Sequence, residues 1–111
     1  RYDKKRRTSL ISLNGLKERV KDKKHCYTIH AQEQMALRHI RNSEVIEVIV
    51  GENAEIIEKY FDDKYSPSCL IYGVTVEGKA LHVLSNSQGV IITVYEPILT
   101  KWCEDMKTRR Q

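Results

Sequence analysis

Three β-strands joined by two short turns are predicted between Ser68 and Pro97, and this stretch constrains the fold of the whole chain. Its sequence is SCLIYGVTVEGKALHVLSNSQGVIITVYEP. Glu77-Gly78 has the chemistry of a tight hairpin turn, because glycine adopts positive φ without strain. Residues 86–89, Asn-Ser-Gln-Gly, predict a second, looser turn. Pro97 ends the last strand because proline has no N–H group for the sheet.

Successive side chains in a strand point to opposite faces, so a register assigns these residues to two sides. The register that places Gly73 and Thr93 on either side of His82 makes one face continuously apolar, and we expect that face to be buried. It carries Tyr72, Val74, Leu81, Val83, Ile92 and Val94. The other face carries Gly73, Thr75, Ala80, His82, Thr93 and Tyr95. We expect it to be left open or flanked by the edges of helices, and a slip of one residue would exchange the two faces.

Two helices are predicted in the first 40 residues from the helical spacing of apolar side chains. The first extends from Ser9 to about Lys23, or begins near Leu16 with Asn14 as its cap. The second extends over residues 29–40 behind Thr28, a favourable N-cap residue. Its buried stripe is predicted to consist of Ile29, Ala36 and Ile40.

The remaining elements complete an α+β pattern. A cap at Asn42 or Ser43 and the glycine at position 51 favour a helix through the β-branched VIEVIV segment. Residues 55–60 predict an edge strand, residues 62–67 a loop, and a short helix carrying Trp102 follows Pro97. The order predicts N-terminal helices packed on one face of a four-stranded, mainly antiparallel sheet, with a short C-terminal helix. We expect a single domain, with a basic N-terminal arm (residues 1–8) and helix over residues 1–26 and the α+β unit over residues 27–111.

Composition narrows the class of protein. The net charge is +4, and basic residues concentrate near both ends of the chain. This charge is compatible with a nucleic acid or an acidic protein as partner; the alternative is that it serves solubility alone. The three cysteines are widely spaced, which favours a reducing compartment over a disulfide framework. No apolar run approaches the roughly 20 residues of a membrane helix. We expect a cytoplasmic protein with no membrane segment, no metal and no cofactor.

Five residues could carry chemistry on the polar face and around the second helix: His30, Arg38, His82, Thr93 and Tyr95. Histidine acts as acid or base near neutrality, and the planar guanidinium of arginine matches phosphate oxygens. Threonine and tyrosine hydroxyls donate hydrogen bonds to developing charge. Together they match metal-independent RNA cleavage by the 2′-hydroxyl, with the histidines as acid and base and Arg38 as the phosphate clamp.

Each residue also has a structural interpretation. His82 could be a half-buried strand residue bonded to a neighbour, and Arg38 could pair with Glu33 or Glu44. Two other functions therefore stay open. One is a non-catalytic module that binds RNA or a protein segment on the same face. The other is a structural protein whose edge strand, residues 55–60, accepts another chain.

Three segments together resemble the DUF4258 family of small proteins. They are YTIHA (residues 27–31) with Arg38, GVTVEGKALHV (residues 73–83), and IITVYEP (residues 91–97) with Trp102. The resemblance extends from Tyr27 to about Arg110, and Gln34 stands where the family pattern usually has a basic residue. It implies similarity to the RelE and BrnT types of toxin, which are compact α+β ribonucleases. It therefore implies a toxin-like, RNA-cleaving protein that is neutralised by a zinc-finger-type antitoxin protein.

Overall fold

The computed structural model describes residues 11–62 and 67–111. The basic arm predicted at residues 1–8 and most of the loop predicted at residues 62–67 lie outside this part of the chain. The helices are α1 (Leu13–Lys21), α2 (Ile29–Arg38) and α3 (Asn42–Val50). The strands are β1 (Cys26–Tyr27), β2 (Glu55–Tyr60), β3 (Ser68–Val74), β4 (Ala80–Asn86) and β5 (Val90–Tyr95).

The strands form one five-stranded mixed sheet in the order β1-β5-β4-β3-β2. Strands β2 to β5 pair antiparallel, whereas β1 pairs parallel with β5. The predicted α+β class and the edge position of residues 55–60 are therefore confirmed, but the prediction of four strands missed β1. Strand β1 has only two residues, which is too short for the alternation of apolar and polar side chains by which a strand is recognised in a sequence. The pairing of β1 with β5 places Cys26 opposite Val90 and Tyr27 opposite Ile91.

The three helices cover one face of the sheet. Helix α1 packs on α3, α2 packs on β5, and α3 packs on β3 and β4. Leu81, Val83 and Val94 are fully buried on this face, as predicted. Gly73 also lies here, because a Cβ at this position would come within 2.7 Å of the Val48 side chain. The absence of a side chain at Gly73 lets α3 approach the sheet closely.

The predicted register of the first hairpin is wrong by one residue. Gly73 pairs with Leu81, and Tyr72 pairs with His82. The turn has three central residues, since the Gly78 N–H bonds to the Thr75 carbonyl and the Thr75 N–H bonds to the Lys79 carbonyl. A three-residue loop ending in a residue of positive φ is a common hairpin, and here Gly78 has φ 91°. Gly73 was therefore assigned to the wrong face.

The slip moves Tyr72 and Val74 to the face of His82, and takes Thr75 out of the strand into the turn. In the second hairpin Ser85 pairs with Ile91 instead of Val90, a shift of one residue, and the bulge after the Leu84–Thr93 pair adds a second, so the pairing of His82 is shifted by two. An even shift leaves side chains on their assigned face. Thr93 and Tyr95 consequently share the His82 face as predicted, with Tyr95 directly opposite His82.

One of the predicted helix caps is confirmed, and two differ from the prediction by one or two residues. Thr28 caps α2 through a hydrogen bond from the Ala31 N–H, as expected. Ser12, rather than Asn14, caps α1, and Arg41, rather than Asn42 or Ser43, is the cap residue of α3. Of the predicted stripe, Ile40 is buried, but Ile29 is 76% exposed and Ala36 is exposed as well. The buried residues within α2 are Ala31 and Met35.

The chain after β5 is irregular and crosses the sheet face opposite the helices. We call residues 97–111 the C-terminal segment; all of it is described, and it forms turns in place of the predicted helix. The Asp105 carboxylate accepts hydrogen bonds from the backbone N–H groups of Lys107 and Thr108, which favours a turn over a helix. Met106 adopts a left-handed conformation, φ 61°, which also interrupts a helix. The expectation that the His82 face is open is therefore wrong.

Candidate functional site

His82 is sealed between the sheet and the C-terminal segment, with an exposed fraction of 0%. The ring of Trp102 packs edge-on against the imidazole, with ring centroids 4.4 Å apart. Tyr95 and Tyr72 flank it on the neighbouring strands, at 5.2 and 6.1 Å between ring centroids. The imidazole therefore lies inside an aromatic cage and does not face solvent.

The hydrogen bonds of His82 define its protonation. Nε2 lies 2.6 Å from the Met106 carbonyl oxygen, and since a carbonyl only accepts, Nε2 carries the proton. Nδ1 lies 3.1 Å from the Tyr95 hydroxyl and accepts a hydrogen bond from it. Burial lowers the pKa of His82, although the Met106 carbonyl and Glu58 oppose the shift. The ring is thus neutral at physiological pH, with both nitrogens engaged.

A bidentate ion pair holds the far end of the C-terminal segment on β2. Arg109 donates from Nε to one Glu58 carboxylate oxygen at 2.7 Å and from Nη2 to the other at 3.0 Å. Its guanidinium also lies 4.7 Å from the centre of the Trp102 ring. Burial raises the pKa of Glu58, but the hydrogen bonds from Arg109 and Tyr60 outweigh it and the net pKa is lowered. Arg109 therefore anchors the segment, and its charge is largely balanced.

A cavity of about 430 Å³ opens where the C-terminal segment meets the end of β5. Its lining is dominated by cationic and aromatic side chains, and consists of Arg38, Tyr95, Glu96, Ile98, Lys101, Trp102 and Arg109. We call it the cationic cavity. The C-terminal end of α2 supplies Arg38, which is fixed by a hydrogen bond from Nη1 to the Val94 carbonyl at 2.9 Å.

Two of these cations are available to a ligand. Across residues 11–62 and 67–111, neither Arg38 nor Lys101 forms a salt bridge. The carboxylate of Glu96 is balanced by Lys79, with 3.3 Å between the charged atoms. Burial raises the pKa of Tyr95, so its phenol stays protonated, with its one proton in the hydrogen bond to His82 Nδ1. The cavity thus presents positive charge that no salt bridge within the described residues balances, the arrangement that suits a phosphate group.

The structure brings together four of the five predicted residues. Arg38 and Tyr95 line the cationic cavity, and His82 is bonded directly behind Tyr95. Thr93 lines a second cavity that shares Tyr95. His30 does not join them: it lies in the first turn of α2, about 12 Å along the helix axis from Arg38. The catalytic roles of all five stay predictions.

Sequence reasoning missed three residues of the site, namely Glu96, Lys101 and Arg109. Glu96 precedes the predicted short helix after Pro97, Lys101 lies within that helix, and Arg109 was interpreted as part of its basic C-terminal end. Only the path of the C-terminal segment over the sheet shows that they converge on Tyr95. The adjacency of Glu96 to Tyr95 in the sequence was the one signal that could have found Glu96.

The described residues contain no group of three or more His, Cys, Asp or Glu side chains placed to hold a metal ion. Among the helices α1 to α3, none is long and apolar enough to span a membrane.

The fold and the cavity together define a small α+β protein with a cavity lined by cationic side chains at the covered face of its sheet. Residues 27–96 match the family model DUF4258, described as a domain of unknown function. The match covers more than half of the chain, so the protein belongs to the DUF4258 family. Comparison with curated proteins gives no match, and comparison with solved structures gives none either.

Proposed function

We propose that this protein binds RNA and that the cationic cavity holds a phosphate of the RNA backbone. The single observation that carries the proposal is the convergence in one cavity, beside the Tyr95 phenol, of two cations that form no salt bridge within the described residues, Arg38 and Lys101. A guanidinium fixed by a backbone carbonyl presents its remaining N–H groups in a defined plane, and phosphate oxygens fit that plane. The net charge of +4 favours the approach of a polyanion.

Charge-removing variants of nearly unchanged size test the proposal. We expect Arg38→Gln and Lys101→Gln each to weaken binding of a fluorescent RNA oligonucleotide, measured by anisotropy as a function of salt concentration. Loss of one phosphate contact lowers the slope of log K against log salt by about 1.

Lys59→Gln is the matched control. It removes the same charge from an exposed position on β2 that does not line the cavity. Equal weakening in all three variants indicates only non-specific attraction, and unchanged binding in Arg38→Gln and Lys101→Gln contradicts the proposal.

Cleavage of the bound RNA is a second candidate function, favoured by the hydrogen bond between Tyr95 and His82 at the edge of the same cavity. In this scheme the Glu96 carboxylate removes the proton of the ribose 2′-hydroxyl. The 2′-oxygen then attacks phosphorus, and Arg38 and Lys101 stabilise the added negative charge.

The Tyr95 O–H leaves its hydrogen bond with His82 Nδ1 and turns to the 5′-oxygen, and the bond from phosphorus to that oxygen breaks as Tyr95 donates its proton to it. The products are a 2′,3′-cyclic phosphate and a free 5′-hydroxyl, so the reaction consumes no water and needs no oxidant or reductant. His82 cannot touch the substrate while the C-terminal segment covers it. It would instead orient the Tyr95 hydroxyl through Nδ1.

An RNA digest with variant proteins separates cleavage from binding. We expect Tyr95→Phe and Glu96→Gln to reduce cleavage by 10²-fold or more while RNA binding persists. His30→Ala tests the role predicted from the sequence. Its side chain is away from the cationic cavity, so the structure leads us to expect wild-type cleavage. If the purified protein binds RNA but no variant changes a background rate of cleavage, the non-catalytic alternative stands.

Toxicity and an antitoxin partner belong to the same proposal. Expression of a cleaving toxin arrests growth, and we expect Tyr95→Phe to relieve that arrest. Normal growth on expression of a protein that cleaves RNA in the test tube would contradict the toxin interpretation.

A further inference from the structure

A second cavity lies beside the part of the sheet that the C-terminal segment covers; in its floor Leu84 and Thr93 are half-buried and Leu70 is buried. The segment covers the row formed by Tyr72, His82 and Tyr95, which pair across β3, β4 and β5. The adjacent row contains Leu70, Leu84 and Thr93, which also pair across these strands. Over this row is a cavity of about 280 Å³, lined by Tyr60, Leu70, Leu84, Thr93, Tyr95 and Arg109. We call it the apolar cavity.

The lining of the apolar cavity does not suit a phosphate. The floor of the cavity on the central strands β3 and β4 is formed by leucine side chains. The one cation in the lining, Arg109, is already paired bidentately with Glu58. Two phenol rings, Tyr60 and Tyr95, contribute flat apolar surface. The Thr93 hydroxyl forms no hydrogen bond with the rest of the described chain, so it is free to bond a ligand. A flat, mostly apolar ligand with polar groups at its edge fits these features.

The two cavities adjoin. Tyr95 and Arg109 line both of them, so one ligand can occupy both by passing these two side chains. In RNA, a base and the phosphate next to it are separated by a single ribose. A nucleotide therefore carries a charged phosphate and a flat base close enough together to occupy the two adjoining cavities.

We propose that the apolar cavity binds one unstacked base of a single-stranded RNA whose adjacent phosphate lies in the cationic cavity. This inference rests on the proposed RNA binding and specifies its substrate class. Bases in a duplex are paired and stacked, and their faces cannot enter a cavity of this kind. Base contacts with aromatic and apolar side chains tolerate different sequences, so we expect a preference for single strands rather than for a sequence.

The test compares three probes of equal length by anisotropy: a natural single-stranded RNA, the same ribose-phosphate chain without bases, and an RNA duplex. We expect the wild-type protein to bind the natural strand about 10-fold more tightly than the abasic strand or the duplex. Leu84→Trp fills the apolar cavity, so it lowers affinity for the natural strand to the abasic level and leaves the abasic strand unaffected. Thr93→Val keeps the shape and removes the hydroxyl. It serves as the milder variant, and a smaller loss confined to the natural strand supports the proposal.

The outcomes separate this inference from the proposed function. If Arg38→Gln weakens both single strands but the wild-type protein binds them equally, phosphate binding holds and the base site is overturned. If Leu84→Trp, with an unchanged melting temperature, still distinguishes the natural strand from the abasic one, the base lies elsewhere and the inference is wrong. If Arg38→Gln changes neither affinity, the proposed function itself fails, and this inference fails with it.

Discussion

The Nε2–H of His82 donates to the carbonyl oxygen of Met106 at 2.6 Å, joining the middle of β4 to the last turn of the C-terminal segment, 24 positions along the chain. Met106 reaches this position with φ 61°, a conformation that a side-chain-bearing residue adopts only at a conformational cost. The hydrogen bond and the packing of Trp102 offset that cost. The closure of the segment over the sheet therefore depends on the Nε2–H group of His82.

The neutral state of His82 predicts a loss of stability on mild acidification. Because burial lowers the folded-state pKa below the ordinary value of 6.5, the unfolded chain binds the proton more readily. The contribution of His82 is complete above about pH 6.5 and is lost as the pH falls from there toward the folded-state pKa. We expect the free energy of unfolding, measured by urea titration, to decrease between about pH 7 and pH 5.

His82→Gln provides the control for this pH dependence. The glutamine amide retains a donor for the Met106 carbonyl and does not titrate. We expect a lower stability at pH 7 than in the wild type, but a flatter profile over the same interval. A variant profile as steep as that of the wild type assigns the dependence to other groups.

The Glu58–Arg109 ion pair is expected to contribute measurably to closure of the C-terminal segment. It is bidentate, and the Glu58 side chain is only 22% exposed, so solvent screens it less than an ordinary surface pair. We expect Glu58→Gln to reduce the free energy of unfolding by about 1 kcal/mol. The comparison is Glu55→Gln, which breaks a single contact of 3.2 Å between Lys107 and a carboxylate that is 46% exposed. A loss in Glu55→Gln as large as that in Glu58→Gln would contradict this ranking.

The close approach of α3 to the sheet predicts that Gly73 does not tolerate a side chain. A Cβ at this position would lie 2.7 Å from Val48 Cγ1 and 2.8 Å from the Val48 carbonyl oxygen, and backbone cannot move aside cheaply. We expect Gly73→Ala to lower the free energy of unfolding by about 2–3 kcal/mol. Gly78→Ala is the control, since its Cβ would meet nothing within 4 Å and only its φ of 91° is unfavourable, at about 1 kcal/mol. The reverse order of the two losses would show that α3 can shift.

The cysteines are expected to differ sharply in reactivity. Burial raises the pKa of Cys69 to about 12, and the side chain is fully buried in the core, whereas Cys26 is exposed on β1. The thiolate is the reactive form. Iodoacetamide near pH 8 should therefore modify Cys26 long before Cys69, as followed by peptide mass spectrometry, and denaturant should remove the difference. Rapid labelling of Cys69 without denaturant would indicate that the helix layer opens locally.

Features that depend on neighbouring residues could be predicted from the sequence. The Thr28 cap, the helix over VIEVIV and the antiparallel strands of residues 68–95 each follow from interactions within a few positions. Predicting which face of the sheet a strand residue occupies is more error-prone, because one extra residue in a turn exchanges the two faces. The three-residue turn ending at Gly78 placed Tyr72, Gly73 and Val74 on the faces opposite to those predicted. Thr93 and Tyr95 of β5 kept their predicted face.

In the candidate site, too, some properties could be predicted from the sequence and others could not. The residue types that can handle a phosphate, Arg38 and Tyr95 among them, were visible in the sequence, because guanidinium and phenol groups have the same chemistry in any fold. Their surroundings were not visible. Nothing local to His82 indicates that Trp102 and Met106 will cover it, since that contact depends on how a segment without regular secondary structure crosses the sheet.

The sequence by itself determined the α+β class, most element positions and the chemistry of the side chains, since these depend on local backbone preference and on functional groups. Tertiary structure alone decided which cations meet at Tyr95, that His82 is buried and neutral, and that a second cavity opens beside it over Leu84 and Thr93. These properties arise from contacts between residues far apart in the chain. Such contacts form only when burial of apolar surface and long-range ion pairs select one path for the C-terminal segment.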